Sequence, residues 1–265
     1  MRKIFGVTAM IVACFYAHAE DVPRGIRVLG QEWQIAQWHS RGKLEEVTED
    51  GFADAFKSVK VDKRMGAVTL CADTSADYER PRRKGEPWVH LLLEQGKFAQ
   101  AVRVAEAGEI WVEVEFELTH LREFVNPEEE TQAAQFSWFL YLKNTREESP
   151  GRHDFVWFGL SLFDSRHDFT TLYAARDFAV PEGKFIYQAG SESFLNEKVT
   201  PGKRVTVRRD ILPDIRAAID AAHAQGFILH SNFEDMTLDG MNIGWEIPGM
   251  FDAGMTIHRL RVEVK

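Results

Sequence analysis

Apolar and polar residues alternate with a period of two along most of this 265-residue chain. Because successive side chains of a strand point to opposite faces, each alternating run predicts a strand with one buried face. Sequences rich in Pro, Gly and Glu separate the runs and are typical of turns. The pattern predicts strands at 26–38 (in one or two pieces), 67–72, 88–95, 110–118, 135–143, 155–163, 184–189, 203–208, 243–247 and 254–264.

One segment follows a helical period instead. In LPDIRAAIDAAHAQG, Pro213 suits a first helical turn, Gly226 suits a stop, and the apolar residues between them form a narrow stripe. This predicts a clear helix near residues 213–225, and a weaker helical segment is predicted at 51–59. Many short strands with one helix predict a mainly β fold, a two-sheet antiparallel jelly-roll sandwich that forms a single domain over residues 20–265.

The N-terminus has a basic start, an apolar run and the small residues AHA before Glu20. This is the pattern of a secretory signal peptide over residues 1–19, and the apolar run is too short to cross a bilayer. We therefore expect a secreted or periplasmic protein without a transmembrane segment. The sequence IVAC, which ends at Cys14, loosely fits a lipoprotein box, so a lipid anchor at Cys14 is the alternative.

The charge and the cysteines narrow the range of partners. The formal net charge is −9, which repels phosphate backbones and excludes nucleic acid as the expected partner. Aromatic residues make up 12% of the chain, enough to form both strand cores and stacking surfaces. Cys71 is the one cysteine after the leader, and its apolar surroundings in AVTLCAD predict a buried, inert thiol.

Several predicted strands have a second face that mixes aromatic and polar groups. In IWVEVEFEL, the face opposite the apolar residues carries Trp111, Glu113, Glu115 and Glu117. On other strands, the corresponding positions include His90, Tyr141 and Trp157. Aromatic rings can stack on the C–H face of a sugar and carboxylates can accept its hydroxyls, so these residues predict a carbohydrate-binding surface. The alternative is an ordinary solvated or loop-covered sheet face.

The tetrapeptide RHDF occurs twice, on both sides of the predicted strand 155–163. Nine extended residues span about 30 Å, so His153 and His167 are expected at opposite ends of the sheet and not in one site. The second copy follows the aromatic strand directly. We therefore include Asp164, Arg166 and His167 among the candidate carbohydrate-binding residues.

The signal peptide, the strand spacing and the C-terminal strand pattern together resemble secreted bacterial jelly-roll modules of carbohydrate-processing systems, the concanavalin-like and galactose-binding-like groups. Separately, EVEFE at 113–117 is similar to the E-x-D-x-E strand motif of laminarinase- and lichenase-like glycoside hydrolases, with Glu in place of the central Asp. This resemblance implies that Glu113 is the nucleophile, Glu117 the general acid/base and Glu115 the residue that tunes them.

No other motif assigns a chemistry. The histidines lack metal-ligand spacing, and the chain has no phosphate-binding or nucleophile-elbow motif. We therefore predict no metal and no other cofactor, with calcium at the oxygen-rich sequence NFEDMTLDG as an alternative. A polysaccharide lyase would need a Tyr or His base beside a cation, which Tyr187 with Lys184 or His90 could supply.

Three hypotheses of function follow. The first is a secreted jelly-roll protein that binds carbohydrate without catalysis. The second is a polysaccharide-cleaving enzyme, a glycoside hydrolase or lyase, that uses carboxylates of the strand 110–118. The third is a structural or interaction protein of the cell envelope.

Overall fold

The computed structural model describes residues 25–48, 50–83, 85–124, 132–177 and 184–265. The predicted signal peptide at 1–19, including Cys14, lies outside the described residues. In chain order the elements are β1 (Ile26–Val28), β2 (Gln31–Trp38), β3 (Glu45–Thr48), β4 (Gly51–Ala53), β5 (Lys57–Asp62), β6 (Ala67–Asp73), β7 (Val89–Gln95), β8 (Val102–Arg103), β9 (Ile110–Glu123), β10 (Gln135–Asn144), β11 (Phe155–Asp164), β12 (Tyr173–Asp177), β13 (Lys184–Ala189), β14 (Arg204–Asp210), α1 (Leu212–Ala224), β15 (Met236–Ile247) and β16 (Phe251–Val264).

The strands form two sheets. The larger sheet has the order β1-β2-β7-β15-β10-β11-β13-β12, with β8 also paired to β15. The smaller sheet has the order β14-β9-β16-β6-β5-β4-β3. Among the described strands every pairing is antiparallel except that of β11 with β13. The predicted mainly β jelly-roll sandwich is therefore confirmed.

The core lies between the two sheets and is supplied by the apolar half of each alternating strand. In β9, the residues from Ile110 to Leu118 alternate between buried apolar side chains and partly exposed ones, which are Trp111 and three glutamates. The larger sheet contributes large rings to the same core, and Trp138 and Trp245 are both fully buried. The indole Nε1 of Trp245 donates a hydrogen bond of 3.0 Å to the carbonyl of Leu70 on the smaller sheet, which joins the two layers.

The predicted helix is confirmed as α1, which begins with Pro213 in its first turn and is followed by Gly226 at a φ of +81°. Its apolar stripe belongs to the core cluster, so the helix packs on the core side of β11 and β13. No helix in the described ranges is long and apolar enough to cross a membrane.

The weaker helical prediction at 51–59 is wrong, because this segment forms β4, a turn and β5. The turn is held by Asp54, whose Oδ1 accepts backbone N–H groups of Phe56 and Lys57, both at 2.7 Å. An Asp side chain that bonds the backbone two or three residues later favours a turn over a helix. Pairing of β5 with β6 then extends the smaller sheet.

Replacing Trp245 with Phe tests the contact between the layers. The variant keeps an aromatic ring but removes the donor for the Leu70 carbonyl, so we expect a loss of about 1–3 kcal/mol in the free energy of unfolding. Urea unfolding measures it. Val47→Ala is the control, since Val47 is 59% exposed and its loss is expected to cost under about 0.5 kcal/mol. Equal stabilities for Trp245→Phe and wild type would contradict this role.

Candidate functional site

The larger sheet has a face that points away from the core, called here the outer face. It carries these side chains from the central strands: His90 and Glu94 of β7, Asn242 and Glu246 of β15, Ser137, Phe139, Tyr141 and Lys143 of β10, and Phe155, Trp157 and Ser161 of β11. Although they point outward, Ser137 and Ser161 are only 4% exposed and Asn242 is 5% exposed. These small polar groups are therefore covered by the larger side chains around them on the same face.

Aromatic rings surround one end of the outer face. Tyr141 and Trp157 meet edge to face with ring centres 4.9 Å apart, and Phe155 lies 4.6 Å from Trp157. Phe139 extends the cluster, 6.0 Å from Trp157. Edge-to-face packing holds each ring in one orientation, as a stacking surface for a sugar requires.

Two lysines lie against these rings. The Nζ of Lys184 is 4.4 Å from the ring centre of Phe155, and the Nζ of Lys143 is 5.2 Å from that of Tyr141. Lys143 also forms an ion pair of 3.5 Å with Asp239. The lysines therefore add hydrogen-bond donors at the edge of the aromatic cluster.

The Tyr141 hydroxyl joins the aromatic cluster to Glu94. It donates a 2.8 Å hydrogen bond to Glu94 Oε1 and accepts one of 3.0 Å from the Asn242 amide. Burial raises the pKa of Tyr141 far above its ordinary value, and the neighbouring Glu94 carboxylate raises it further. Tyr141 therefore stays protonated and fixes the Glu94 carboxylate in place.

A second group on the outer face centres on Glu246. Its Oε2 accepts a 3.2 Å hydrogen bond from Trp88 Nε1 and lies 3.5 Å from His90 Nε2. The His90 ring stacks on Trp88 and meets Trp38 edge to face, with ring centres 5.5 and 5.2 Å apart. The histidine is thus held between two indoles with its Nε2 toward the carboxylate.

The Glu246–His90 pair is arranged to hold a proton. His90 Nδ1 lies 2.9 Å from the Trp88 carbonyl, which can only accept, so Nδ1 carries a hydrogen. The other ring nitrogen, Nε2, then faces the carboxylate oxygen at 3.5 Å, where the two groups can share one proton. Burial opposes ionisation of Glu246, but the hydrogen bond and charge of His90 and the Trp88 hydrogen bond outweigh it and lower the pKa of Glu246.

A cavity of about 620 Å³ lies next to this pair. Tyr78 connects them, since its hydroxyl donates to the Ile247 carbonyl and accepts from the Val89 N–H, the neighbours of Glu246 and His90. The cavity is lined by His39, Arg41, Asp77, Tyr78, Glu79, Arg80, Glu86 and Pro87. Burial and the nearby His90 lower the pKa of His39. The volume suits a small saccharide unit.

Glu94 and Glu246 occupy different parts of the outer face. Glu94 pairs in register with Asn242, four residues before Glu246 on the same strand. Four extended residues span ~13 Å. Glu94 also accepts a hydrogen bond from Tyr141, which lies on the side of Glu94 away from Glu246. This separation exceeds the spacings of paired carboxylates in glycosidases, about 5 Å for retention and 6.5–9.5 Å for inversion. The two glutamates therefore serve separate roles.

The predicted catalytic residues Glu113, Glu115 and Glu117 lie on the other sheet. They point outward from β9 of the smaller sheet, where the core separates them from the outer face of the larger sheet. Each faces cations: Glu113 is 2.8 Å from Arg259, and Glu115 and Glu117 are 3.4 and 3.5 Å from Arg204. The structure thus places this row in cross-strand ion pairs and not beside the aromatic cluster.

The predicted carbohydrate-binding residues fall into three places. Tyr141, Trp157 and His90 share the outer face of the larger sheet, with His90 toward the end opposite Tyr141. Trp111 lies on the smaller sheet, with the Arg208 guanidinium 4.2 Å from its ring centre. The remaining three residues follow the end of β11 and are not brought together with either group.

Asp164, Arg166 and His167 lie around the end of β11. Arg166 grips the carboxylate of Asp164 with hydrogen bonds of 3.0 and 2.7 Å, and Gln135 donates another of 2.8 Å. Asp164 and His167 line a separate cavity of about 250 Å³, away from the outer face. As expected, β11 separates His153 from His167.

Sequence reasoning did not select Glu246, Glu94 or Asn242 as site residues. The alternation along β15 could have identified two of them. Ile243, Trp245 and Ile247 are the buried apolar positions, so Asn242 and Glu246 between them must point outward. On β7, the same rule places Glu94 on the same face of the sheet as His90. Alternation within a strand does not tell which strands share a sheet, so it could not show that these outward side chains lie on one face.

The described residues contain no group of three or more His, Cys, Asp or Glu side chains that could hold a metal ion. In the sequence NFEDMTLDG, considered for calcium, Asp235 pairs with Arg146 and with the Asn232 N–H, and Asp239 pairs with Lys143. These carboxylates are therefore already engaged with cations of the chain.

Solved structures share this fold. A native family 12 xyloglucanase from Bacillus licheniformis superimposes with a TM-score of 0.56 at 8% identity, covering 91% of this chain and 97% of its own. A meso-active, thermostable cellulase derived from Cel12A of Rhodothermus marinus superimposes with a TM-score of 0.50 at 14% identity, covering 91% and 96%. No protein-family model and no curated protein matches the sequence.

These comparisons correct the first hypothesis of function. The neighbours that share the fold are enzymes by name, a xyloglucanase and a cellulase, whereas a carbohydrate-binding protein without catalysis was predicted. The finding favours the second hypothesis, a polysaccharide-cleaving enzyme. It also refines the resemblance to jelly-roll modules of carbohydrate-processing systems, since the similar structures are enzymes and not binding modules.

Asp164→Asn tests the role of the ion pair at the end of β11. Burial alone would raise the pKa of Asp164, but the hydrogen bonds and charge of Arg166 lower it below its ordinary value. The carboxylate therefore stabilises the fold above its unfolded pKa of about 3.9, and this contribution is lost as the pH falls through the lower folded pKa. We expect Asp164→Asn to cost about 1–3 kcal/mol at neutral pH, measured by urea unfolding.

The difference from wild type should shrink below about pH 4. Asp168→Asn is the matched control, because Asp168 pairs with Lys198 at 61% exposure and is expected to change stability by under about 0.5 kcal/mol. A difference between wild type and Asp164→Asn that does not change with pH would rule out the ion pair as its source.

Proposed function

We propose that this protein cleaves polysaccharides at the outer face of the larger sheet, with the Glu246–His90 pair as its acid–base couple. The observation that carries the proposal is the position of this pair, with His90 held between two indoles, on the sheet face that also carries the aromatic cluster. The fold is also that of a xyloglucanase and a cellulase. The proposal moves the catalytic carboxylate from the predicted strand 110–118 to β15.

Cleavage of a glycosidic bond requires a proton on the leaving oxygen. The couple holds one between His90 Nε2 and Glu246 Oε2, and the two side chains are 14% and 23% exposed, so a substrate can reach them. After the couple donates this proton, it can accept one from the attacking water. One general acid and base then serves both halves of a hydrolysis.

The rest of the outer face would bind the chain on both sides of the cleaved bond. Trp157 and Phe139, which are both partly exposed, offer ring surfaces for stacking, and Glu94, fixed by Tyr141, offers an acceptor for sugar hydroxyls. The predicted leader at 1–19 supports action outside the cytoplasm, either released or anchored at Cys14. Such a location matches a polymeric substrate that does not enter cells.

Glu246→Gln is expected to lower the release of reducing ends from a polysaccharide panel by about 100-fold or more, because the amide cannot share the proton with His90. Release is measured with purified protein and compared with wild type. Glu113→Gln is the matched control, since Glu113 is also an ion-paired strand glutamate, 2.8 Å from Arg259. It is expected to keep wild-type activity.

Two outcomes would contradict the proposal. Wild-type protein that releases no reducing ends from any polymer of the panel would argue against an enzyme. Loss of activity in Glu113→Gln or Glu117→Gln, with full activity in Glu246→Gln, would show that the catalytic carboxylates lie on the smaller sheet.

His90→Asn tests the couple through pH. Without His90, the pKa of Glu246 loses the hydrogen bond and charge that lower it, and burial raises it instead. We therefore expect the acidic limb of the pH–rate profile to move to higher pH, with a lower maximal rate. His120→Asn is the control, because His120 pairs with Asp252 on the smaller sheet at 2.9 Å. An unchanged acidic limb in His90→Asn would exclude Glu246 as the group that sets it.

A further inference from the structure

The β5 strand contains a lysine buried in the protein. Lys57 is 2% exposed, and its side chain is fully covered. A lysine ammonium is almost never buried without strong partners, because removal of its charge from water costs several kcal/mol. The groups around Nζ must therefore explain its position.

Two carboxylates face this ammonium. Asp54 Oδ2 is 3.2 Å from Lys57 Nζ and Asp77 Oδ2 is 3.9 Å away, with the two aspartate side chains 9% and 2% exposed. Nevertheless, none of these three atoms has a hydrogen-bond partner of good geometry among the described residues. The charges are enclosed together but incompletely satisfied, which is an expensive arrangement for three ionised groups.

The other oxygen of each aspartate is already engaged. Asp54 Oδ1 accepts the two backbone N–H groups of its own turn at 2.7 Å. Asp77 Oδ1 accepts from the Ser40 hydroxyl at 3.2 Å and the Arg41 N–H at 2.6 Å. Both carboxyl groups are thus held with their second oxygen directed at Lys57.

The chain leaves little room for water around these groups. A Cβ added at Gly42 would lie 2.3 Å from Asp54 Oδ2 and 3.3 Å from Lys57 Nζ, so the backbone of Gly42 closes directly over the pair. A site without water favours reactions that remove charge, because burial of an ammonium and a carboxylate costs far more free energy than burial of a neutral amide.

We propose that Lys57 and Asp77 join in an isopeptide bond, with Asp54 as the proton carrier. Asp54 suits that part because its carboxylate is nearest to Nζ and is anchored by two backbone donors. Asp77 suits the part of acyl donor because its Oδ2 lies 3.9 Å from Lys57 Nζ, so a small movement of the lysine side chain would bring the amine within the roughly 3–3.5 Å of Cγ that a near-attack arrangement requires.

The reaction balances without an added reagent. Asp54 Oδ2 takes a proton from the Lys57 ammonium and passes it to a carboxyl oxygen of Asp77, and the neutral amine then attacks Cγ of the protonated Asp77 to form the N–C bond. A second nitrogen proton passes through Asp54, so one carboxyl oxygen of Asp77 receives two protons and leaves as water. Ammonium and carboxylate have become amide and water, and Asp54 regains its starting state.

The bond would connect the β4–β5 hairpin to the segment after β6. Asp77 also lines the cavity beside His90, so the link would fix one wall of that cavity. It does not depend on the proposed enzymatic activity.

Peptide mass mapping of the purified, unreduced full chain after trypsin digestion tests the bond. We expect the peptide containing Lys57 and the peptide containing Asp77 as one species, about 18 Da lighter than their sum, because water is lost. Uncleaved backbone after Lys57 is expected in the same species. The exposed Lys63–Asp50 ion pair is an internal control, since the same residue types in water should remain unlinked.

Two variants identify the groups. Asp77→Asn is expected to link with a loss of about 17 Da, because ammonia leaves in place of water. Asp54→Asn lacks the proton acceptor and should give separate peptides, with circular dichroism to confirm that the variant is folded. Separate Lys57 and Asp77 peptides from wild type would overturn the proposal. A water loss confined to the peptide that contains both Asp54 and Lys57 would overturn the assignment to Asp77.

Discussion

The fold depends on one constraint, that each sheet must bury its apolar face against the other. The alternation in β9 and the rings of Trp138 and Trp245 satisfy this constraint from opposite sides, and the Trp245 hydrogen bond to the Leu70 carbonyl joins the layers. Once the two apolar faces are committed, each sheet has only its second face for other purposes. The smaller sheet uses that face for cross-strand ion pairs, and the larger sheet uses it for aromatic rings and isolated carboxylates. The two sheets therefore differ in the side chains of their outward faces, because the packing leaves each sheet only that face for polar groups.

A site on a sheet face differs from one built on loops. Neighbouring strands fix the spacing of side chains across the outer face, and the backbone ladder resists rearrangement. The edge-to-face rings around Trp157 and the indoles around His90 add a second level of restraint. The same rigidity keeps Glu94 and Glu246 farther apart than the paired carboxylates of most glycosidases. The proposed acid–base couple of Glu246 and His90 needs only one of these two carboxylates.

Much of the fold was predictable from alternation, because parity within one strand is a local property. The helix with its Pro213 start and Gly226 stop and most alternating strands lie within a few residues of their predicted bounds, whereas β9 continues five residues beyond the predicted end and β15 begins seven residues before the predicted start. Parity could not decide which strands share a sheet, so Glu113 and Trp111 were grouped with Tyr141 and Trp157 although the core separates them. A bulge between Phe136 and Ser137 also shifts the register, so strict alternation along β11 ends before Phe163, whose ring centre lies 6.1 Å from that of Trp245. The helical prediction at 51–59 was wrong because the Asp54 side chain stabilises a turn in that segment.

The last two strands of the chain lie in the interior of the two sheets. β15 separates β7 from β10, and β16 separates β6 from β9. A growing chain that has not yet reached residue 236 therefore has both sheets divided, with four strand edges that lack their final partners. Such edges can pair with other chains. Folding to the native sandwich must therefore wait for residues 236–264, and the edges of β6, β7, β9 and β10 stay open to pairing with other chains until these two strands are made.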